Sequence, residues 1–243
     1  VAGTFSYEVY TDGADEPVRV GTIVDGGTFT LKDGEHVVIN GVPAGTSYKV
    51  VETATPGFTS NQPNDTVSGT TVCKQKDTYT FTNTYTVEPV TLPGEENLPV
   101  SKTLTGLSWD NAPEFDFTLT AGNEATAQAV NDGVVTITSG STTVSKNDVT
   151  QGTTGTAYFG NDKTGITFTK PGDYVFTVSE IIPDTATNPG VDDGATQYKD
   201  ATAEQKAMAG WQLDGITYTN TTHTLTFHVT DHGDGTMTVT PDA

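Results

Sequence analysis

Cysteine is almost absent from this chain. Cys73 is the single one in 243 residues, so no intrachain disulfide can form. Positive charge is scarce as well. Eleven lysines and arginines stand against 31 aspartates and glutamates, a formal net charge of −20. A field of that sign repels phosphate backbones and anionic lipid surfaces, which argues against nucleic-acid and membrane partners. No apolar run is long enough to span a bilayer. Stretches rich in Ala, Leu, Glu and Lys, the usual helix formers, are nearly missing. The four histidines (His36, His223, His228, His232) are scattered without metal-ligand spacing. The Asp-rich turns do not fit an EF-hand loop, and no nucleophile elbow, P-loop or dinucleotide fingerprint occurs. These absences leave no cofactor, no metal and no conventional enzyme chemistry to expect.

What is present is alternation. Phe5 to Tyr10, His36 to Ile39, Tyr48 to Glu52 and Tyr79 to Asn83 each read as a short strand. Turn chemistry separates them, as at Asp12-Gly13, Lys32-Asp33-Gly34 and Val42-Pro43-Ala44-Gly45. A second series begins at Val100-Ser101-Lys102-Thr103-Leu104. It continues through Phe115 to Leu119, Val134 to Ile137, Ala157 to Phe159, Ile166 to Phe168 and Tyr174 to Glu180. It closes on a hairpin, Thr222 to Val229 and Thr236 to Thr240, around Asp231-His232-Gly233-Asp234-Gly235. Residues 87–99, with their prolines and glutamates, read as a semi-stiff linker. The expected architecture is all-β, with one domain over 1–86 and another over 100–243. One short helix is expected at 202–209, behind Thr202, with Gly210 to stop it. Trp211, in the loop that carries this helix, reads as exposed.

The second series resembles the N-terminal domain of streptococcal T-antigen-type backbone pilins, the shaft subunits of sortase-assembled Gram-positive pili. The stretches that carry the likeness are Val100 to Leu104, Phe115-Asp116-Phe117, Ile166 through Glu180, and Gly215 through Val229. The first series is similar to the C-terminal domain of such pilins and to Cna-B-type adhesin repeats. It shares Phe29 to Glu35, Val42 to Gly45, Val51-Glu52-Thr53 and Thr80 to Asn83. The loops at 121–160 and 185–214 lie outside the resemblance.

The resemblance implies two Ig-like β-sandwich domains in tandem, each tied by an isopeptide bond. In such domains a lysine on the first strand joins an asparagine on the last, assisted by a buried carboxyl. Carried over residue by residue, it makes Glu52 and Glu180 the assisting carboxyls and Lys102 and Asn83 the cross-linking residues. The lysine strand of the first domain is expected before Val1, and the asparagine strand of the second after Ala243. Three origins are open: a piece cut out of phase from a tandem array, processed ends, or strands supplied by a neighbouring molecule.

Each candidate also has an ordinary reading. Lys102 fits an edge-strand lysine that discourages aggregation, and Asn83 a turn asparagine. Glu180 shares a face with Tyr174, Phe176 and Val178, and Glu52 with Tyr48 and Val50, so both are expected to point inward, where a carboxylate needs a partner. Asp242 is a further, early-placed acceptor for Lys102, and Cys73 an incidental thiol.

The expected function is structural, a stalk or shaft module of an extracellular, cell-wall-anchored surface pilus or adhesin. Its partners would be neighbouring pilin or adhesin domains or subunits. Catalysis would be limited to autocatalytic isopeptide formation. The alternative is a module that binds host glycan or matrix protein through its loops.

Overall fold

The computed structural model describes residues 3–242. The chain is all-β with a few short helices, and it divides into two compact units, Val1–Thr84 and Tyr85–Ala243. Each is described by itself.

In the first unit, β1 (Thr4–Thr11) is the centre of a three-stranded antiparallel sheet. It pairs on one side with β2 (Arg19–Val24) and on the other with β3 (Glu35–Asn40). Then come β4 (Ser47–Val51), β5 (Phe58–Ser60), β6 (Thr66–Thr70) and β7 (Asn83–Tyr85). β4 pairs with β6 and β5 with β7. The sequence predicts a strand over Tyr79 to Asn83, but residues 79–82 lie outside any strand and only Asn83 is in β7. One backbone bond, from the Asn61 N–H to the Thr82 carbonyl at 3.0 Å, reaches this segment, and side chains hold the rest. Gln62 donates its side-chain amide to the Thr80 carbonyl at 2.6 Å, and the Tyr48 and Tyr79 hydroxyls meet at 2.8 Å.

The second unit opens with β8 (Val90–Pro93), the one-turn helix α1 (Gly94–Asn97) and β9 (Pro99–Thr103). The linker expected over 87–99 is therefore corrected: β8 pairs with Gly165–Phe168, and Leu92 and Leu98 are buried. The alternation of Val90 and Leu92 outweighs the prolines, which sit where a strand ends and the next begins. Gly94 passes against the Phe159 carbonyl, where no Cβ would fit.

Next are β10 (Phe115–Ala121), α2 (Glu124–Asn131), β11 (Val135–Ile137), β12 (Ser141–Val144), β13 (Thr154–Tyr158), β14 (Gly165–Phe168) and β15 (Gly172–Glu180). The helix α2 was not legible in the sequence. The Asn123 side chain caps it, accepting from the Thr126 N–H at 2.8 Å. A lobe at 181–221 follows, holding α3 (Ala203–Lys206), β16 (Gln212–Leu213) and β17 (Ile216–Thr217). Here the expected helix does form, shorter than predicted, behind a capping box of Thr202 and Gln205. The chain ends on the hairpin β18 (Thr222–Asp231) and β19 (Met237–Pro241), whose turn places Gly233 and Gly235 at positive φ.

The main sheet of this unit has the order β12-β10-β15-β18-β19. Its inner face shares one core with β11-β14-β8 and β13-β9. The Phe168, Phe176 and Phe227 rings meet in that core with centroids 5.8 to 6.5 Å apart.

Candidate functional site

Lys102 and Glu180 come together from opposite sides of the second unit's core. On β9, Val100 and Leu104 are buried, and alternation puts Lys102 on the same inward face. On β15, Tyr174, Phe176, Val178 and Glu180 are all buried, again by strict alternation. The Lys102 Nζ donates to Glu180 Oε1 at 2.5 Å. The glutamate side chain is fully buried, while 14% of the lysine side chain remains exposed. Glu180 Oε2 accepts from the Thr219 backbone N–H at 3.0 Å, so both carboxylate oxygens are partnered.

Aromatic rings surround the amine. The Phe115 centroid lies 4.5 Å and the Tyr218 centroid 5.8 Å from Nζ. Burial pushes the Tyr218 hydroxyl pKa up, with smaller contributions from the Glu180 and Asp214 charges. A buried ion pair in such surroundings is held by geometry rather than by solvation, and it is a poor source of net stability. A neighbouring carboxylate can take the lysine proton and leave a neutral amine, which is the nucleophilic form.

The pair opens on a groove of about 250 Å³ lined by Val100, Lys102, Phe117, Glu180, His223 and Leu225. One edge of β9 bonds β13, in the register Lys102 to Gly155. Among the described residues no strand pairs with the other edge. Leu98 and Leu104 direct their backbone bonds toward β13. By alternation the Ser101 and Thr103 backbone groups face the open edge.

In the first unit, Glu52 and Asn83 meet. The Asn83 Nδ2 donates to Glu52 Oε1 at 2.7 Å. Glu52 Oε2 is buried without a hydrogen-bond partner, an expensive state for a carboxylate oxygen. Among the described residues no lysine is salt-bridged to Glu52.

Other candidates fall elsewhere. Asp242 bonds His228 Nε2 at 2.8 Å. That histidine lies on the outer face of β18, between the inward Phe227 and Val229, so Asp242 is not at Lys102. Trp211, expected to be exposed, is 0% exposed, its ring edge-on to Tyr198 at 4.9 Å. The apolar side chains of the lobe bury it, so it offers no open ligand platform. Cys73 is a free, exposed thiol. Among the described residues no group of three metal-ligating side chains forms, and no helix is long and apolar enough to cross a membrane. Nothing in the sequence signals the Thr219 N–H on Glu180, because a backbone donor carries no side-chain signature.

A buried lysine–carboxylate pair on an all-β scaffold is the arrangement that the family comparison now places among pilin-type domains. The chain belongs to the family described as Spy0128-like isopeptide containing domain, whose model matches residues 98–243. A model described as a domain of unknown function (DUF7601) matches residues 1–85. The pilus tip adhesin Cpa of Streptococcus pyogenes is 30% identical over 102 residues, which is 36% of this chain and 15% of that protein. The chain thus corresponds to a small part of that adhesin's length. No solved structure matches the chain.

Proposed function

We propose that the two units are Ig-like sandwich modules of the stalk or shaft of a Gram-positive surface pilus or adhesin. Each is locked by a Lys–Asn isopeptide bond once its strands are complete. The observation that carries this is the Lys102–Glu180 pair at 2.5 Å beside the open edge of β9. A strand laid on that edge can bring an asparagine amide to Nζ. Glu180 takes a proton from the ammonium, and the neutral Nζ attacks the amide Cγ. The protonated carboxyl then polarises the amide oxygen and returns the proton to the departing nitrogen. The Nζ–Cγ bond forms and the Cγ–Nδ2 bond breaks; one ammonia leaves, and the second proton that Nζ sheds on becoming an amide N–H passes to the Glu180 carboxylate.

The first unit supplies the complementary half. Asn83 is the acceptor and Glu52 the carboxyl, whose unpartnered Oε2 is where an arriving lysine ammonium is stabilised. The few buried apolar side chains of this unit also support a strand still to be added. In this reading the relation to a tip adhesin implies an extracellular, cell-wall-anchored assembly, with neighbouring pilin or adhesin domains as partners. The covalent tie joins terminal strands, so tension along the chain cannot unzip the sandwich, and a chain without disulfides gains comparable constraint.

The test is intact-mass measurement on a chain extended at both ends by its natural flanking sequence. The expected result is the loss of one ammonia per locked domain, abolished in the second unit by Lys102→Ala and in the first by Asn83→Ala. Full mass in the extended wild type overturns the reading.

A further inference from the structure

The lobe at 181–221 leaves the main sheet immediately after Glu180 and returns to it at β18. Its two ends therefore converge on the same carboxyl. The lobe carries its own small core, with Ile182, Ala186, Val191, Ala201, Trp211 and Tyr218 buried. Its base is closed by backbone bonds: Thr187 and Gln212 exchange N–H···O=C pairs at 2.9 and 2.7 Å. The Tyr218 N–H then donates to the Trp211 carbonyl at 2.9 Å, which fixes the chain just before Thr219. From that anchored position the Thr219 N–H reaches Glu180 Oε2, and the Tyr218 ring packs 5.9 Å from Phe115 beside the Lys102 amine.

We propose that the 181–221 lobe is a positioning device for the Lys102–Glu180 pair, acting through the Thr219 N–H on Glu180 Oε2 with Trp211 as its anchor. The purpose of the device rests on the cross-link reading, but its geometry is measurable without any cross-link. A carboxylate with one oxygen held by a fixed backbone donor keeps its other oxygen aimed at Nζ. Without that donor the side chain has rotamer freedom within the groove, and Lys102 spends more time unpaired.

The experiment is amine labelling of the folded protein with acetic anhydride across the neutral-to-alkaline range. Acetylation of Lys102 is followed by peptide mass spectrometry, with the other lysines as internal references. Glu180→Ala removes the pair and is expected to raise the Lys102 labelling rate by about tenfold, the scale of one charge-assisted hydrogen bond. Thr219→Pro, which removes only the N–H, is expected to raise it by a comparable factor and to move its pH profile. Thr219→Ala, which keeps the N–H, is expected to label as the wild type does. Trp emission at the buried wavelength checks that each variant keeps its lobe.

If Thr219→Pro labels at the wild-type rate while Glu180→Ala is faster, the pair exists but the lobe does not position it, and the proposal is overturned. If neither variant changes the rate, the pair itself is absent and the cross-link reading of Lys102 falls with it. Should Thr219→Pro fail to fold, amide hydrogen exchange decides instead. The Thr219 N–H is expected to be protected in the wild type and unprotected in Glu180→Ala. Equal exchange in both overturns the proposal.

Discussion

The two units use the same alternating strands and similar turns, yet they bury them very differently. Among the described residues, Val9 and Val67 are the buried apolar side chains of the first unit, whereas the second assembles a continuous core from Leu92 to Met237. In the first unit Val18, Val20, Val24 and Val51 are more than half exposed. The candidate sites follow the same division. Glu180 has both oxygens partnered, whereas Glu52 has one buried oxygen without a partner. Strand pattern alone does not make a stable domain. It specifies which residues face inward, and a second layer must then cover them before burial contributes about 25 cal/mol per Å².

The largest test of this contrast breaks the second unit's core and site. Phe176→Ala empties a fully buried position and is expected to destabilise that unit by about 3–5 kcal/mol. Glu180→Ala leaves Lys102 without its counter-charge inside the groove and is expected to cost about 3–5 kcal/mol, whereas Glu52→Ala removes an already half-partnered group and should cost far less. Urea titration reads both. If Glu52→Ala proves as damaging as Glu180→Ala, the contrast between the two sites is lost.

A second test needs no mutation. Both tryptophans, Trp109 and Trp211, are buried in the second unit, so tryptophan emission reports that unit alone while far-ultraviolet circular dichroism reports both. Two transitions are expected in urea, with the earlier one silent in emission. Coincident transitions would show that the first unit is as stable as the second.

The smallest expected effect concerns pH. His228 presents Nδ1 to Asp173 at 2.7 Å and Nε2 to Asp242 at 2.8 Å. These bonds, the Asp242 one foremost, raise its pKa above the ordinary histidine value. A group with a raised folded pKa contributes stability that is fully present below the unfolded value of about 6.5 and is lost as pH rises through the folded value. The second unit should therefore melt slightly lower at alkaline than at mildly acidic pH, and His228→Gln should flatten that slope. The groups are exposed and solvent-screened, so the change is small. An NMR titration of His228 at its ordinary value would remove this prediction.

Much of the second unit was legible because its strands alternate strictly. Tyr174, Phe176, Val178 and Glu180 mark an inward face without any knowledge of what lies opposite. The hairpin at 231–235 was equally plain from its Asp-Gly turn chemistry. Residues 87–99 misled because prolines and glutamates mask two core leucines, Leu92 and Leu98. The segment 79–82 has a strand's alternation but only the Asn61–Thr82 backbone bond along it, and a strand exists only with a continued ladder for its backbone. Trp211 reads as exposed because it follows a polar helix, while the Tyr198 ring that packs against it lies more than ten positions away in sequence.

By itself the sequence determined the all-β class, the excess of acidic charge and the inward direction of Glu180 and Glu52, because side-chain alternation is a local property of an extended backbone. Only the tertiary structure decided that Lys102 meets Glu180 across 78 residues, that a backbone N–H from Thr219 holds the second oxygen, and that Glu52 keeps one oxygen unpartnered. Those are contacts between distant segments. They depend on which strands are present to close each layer, and no local pattern encodes that.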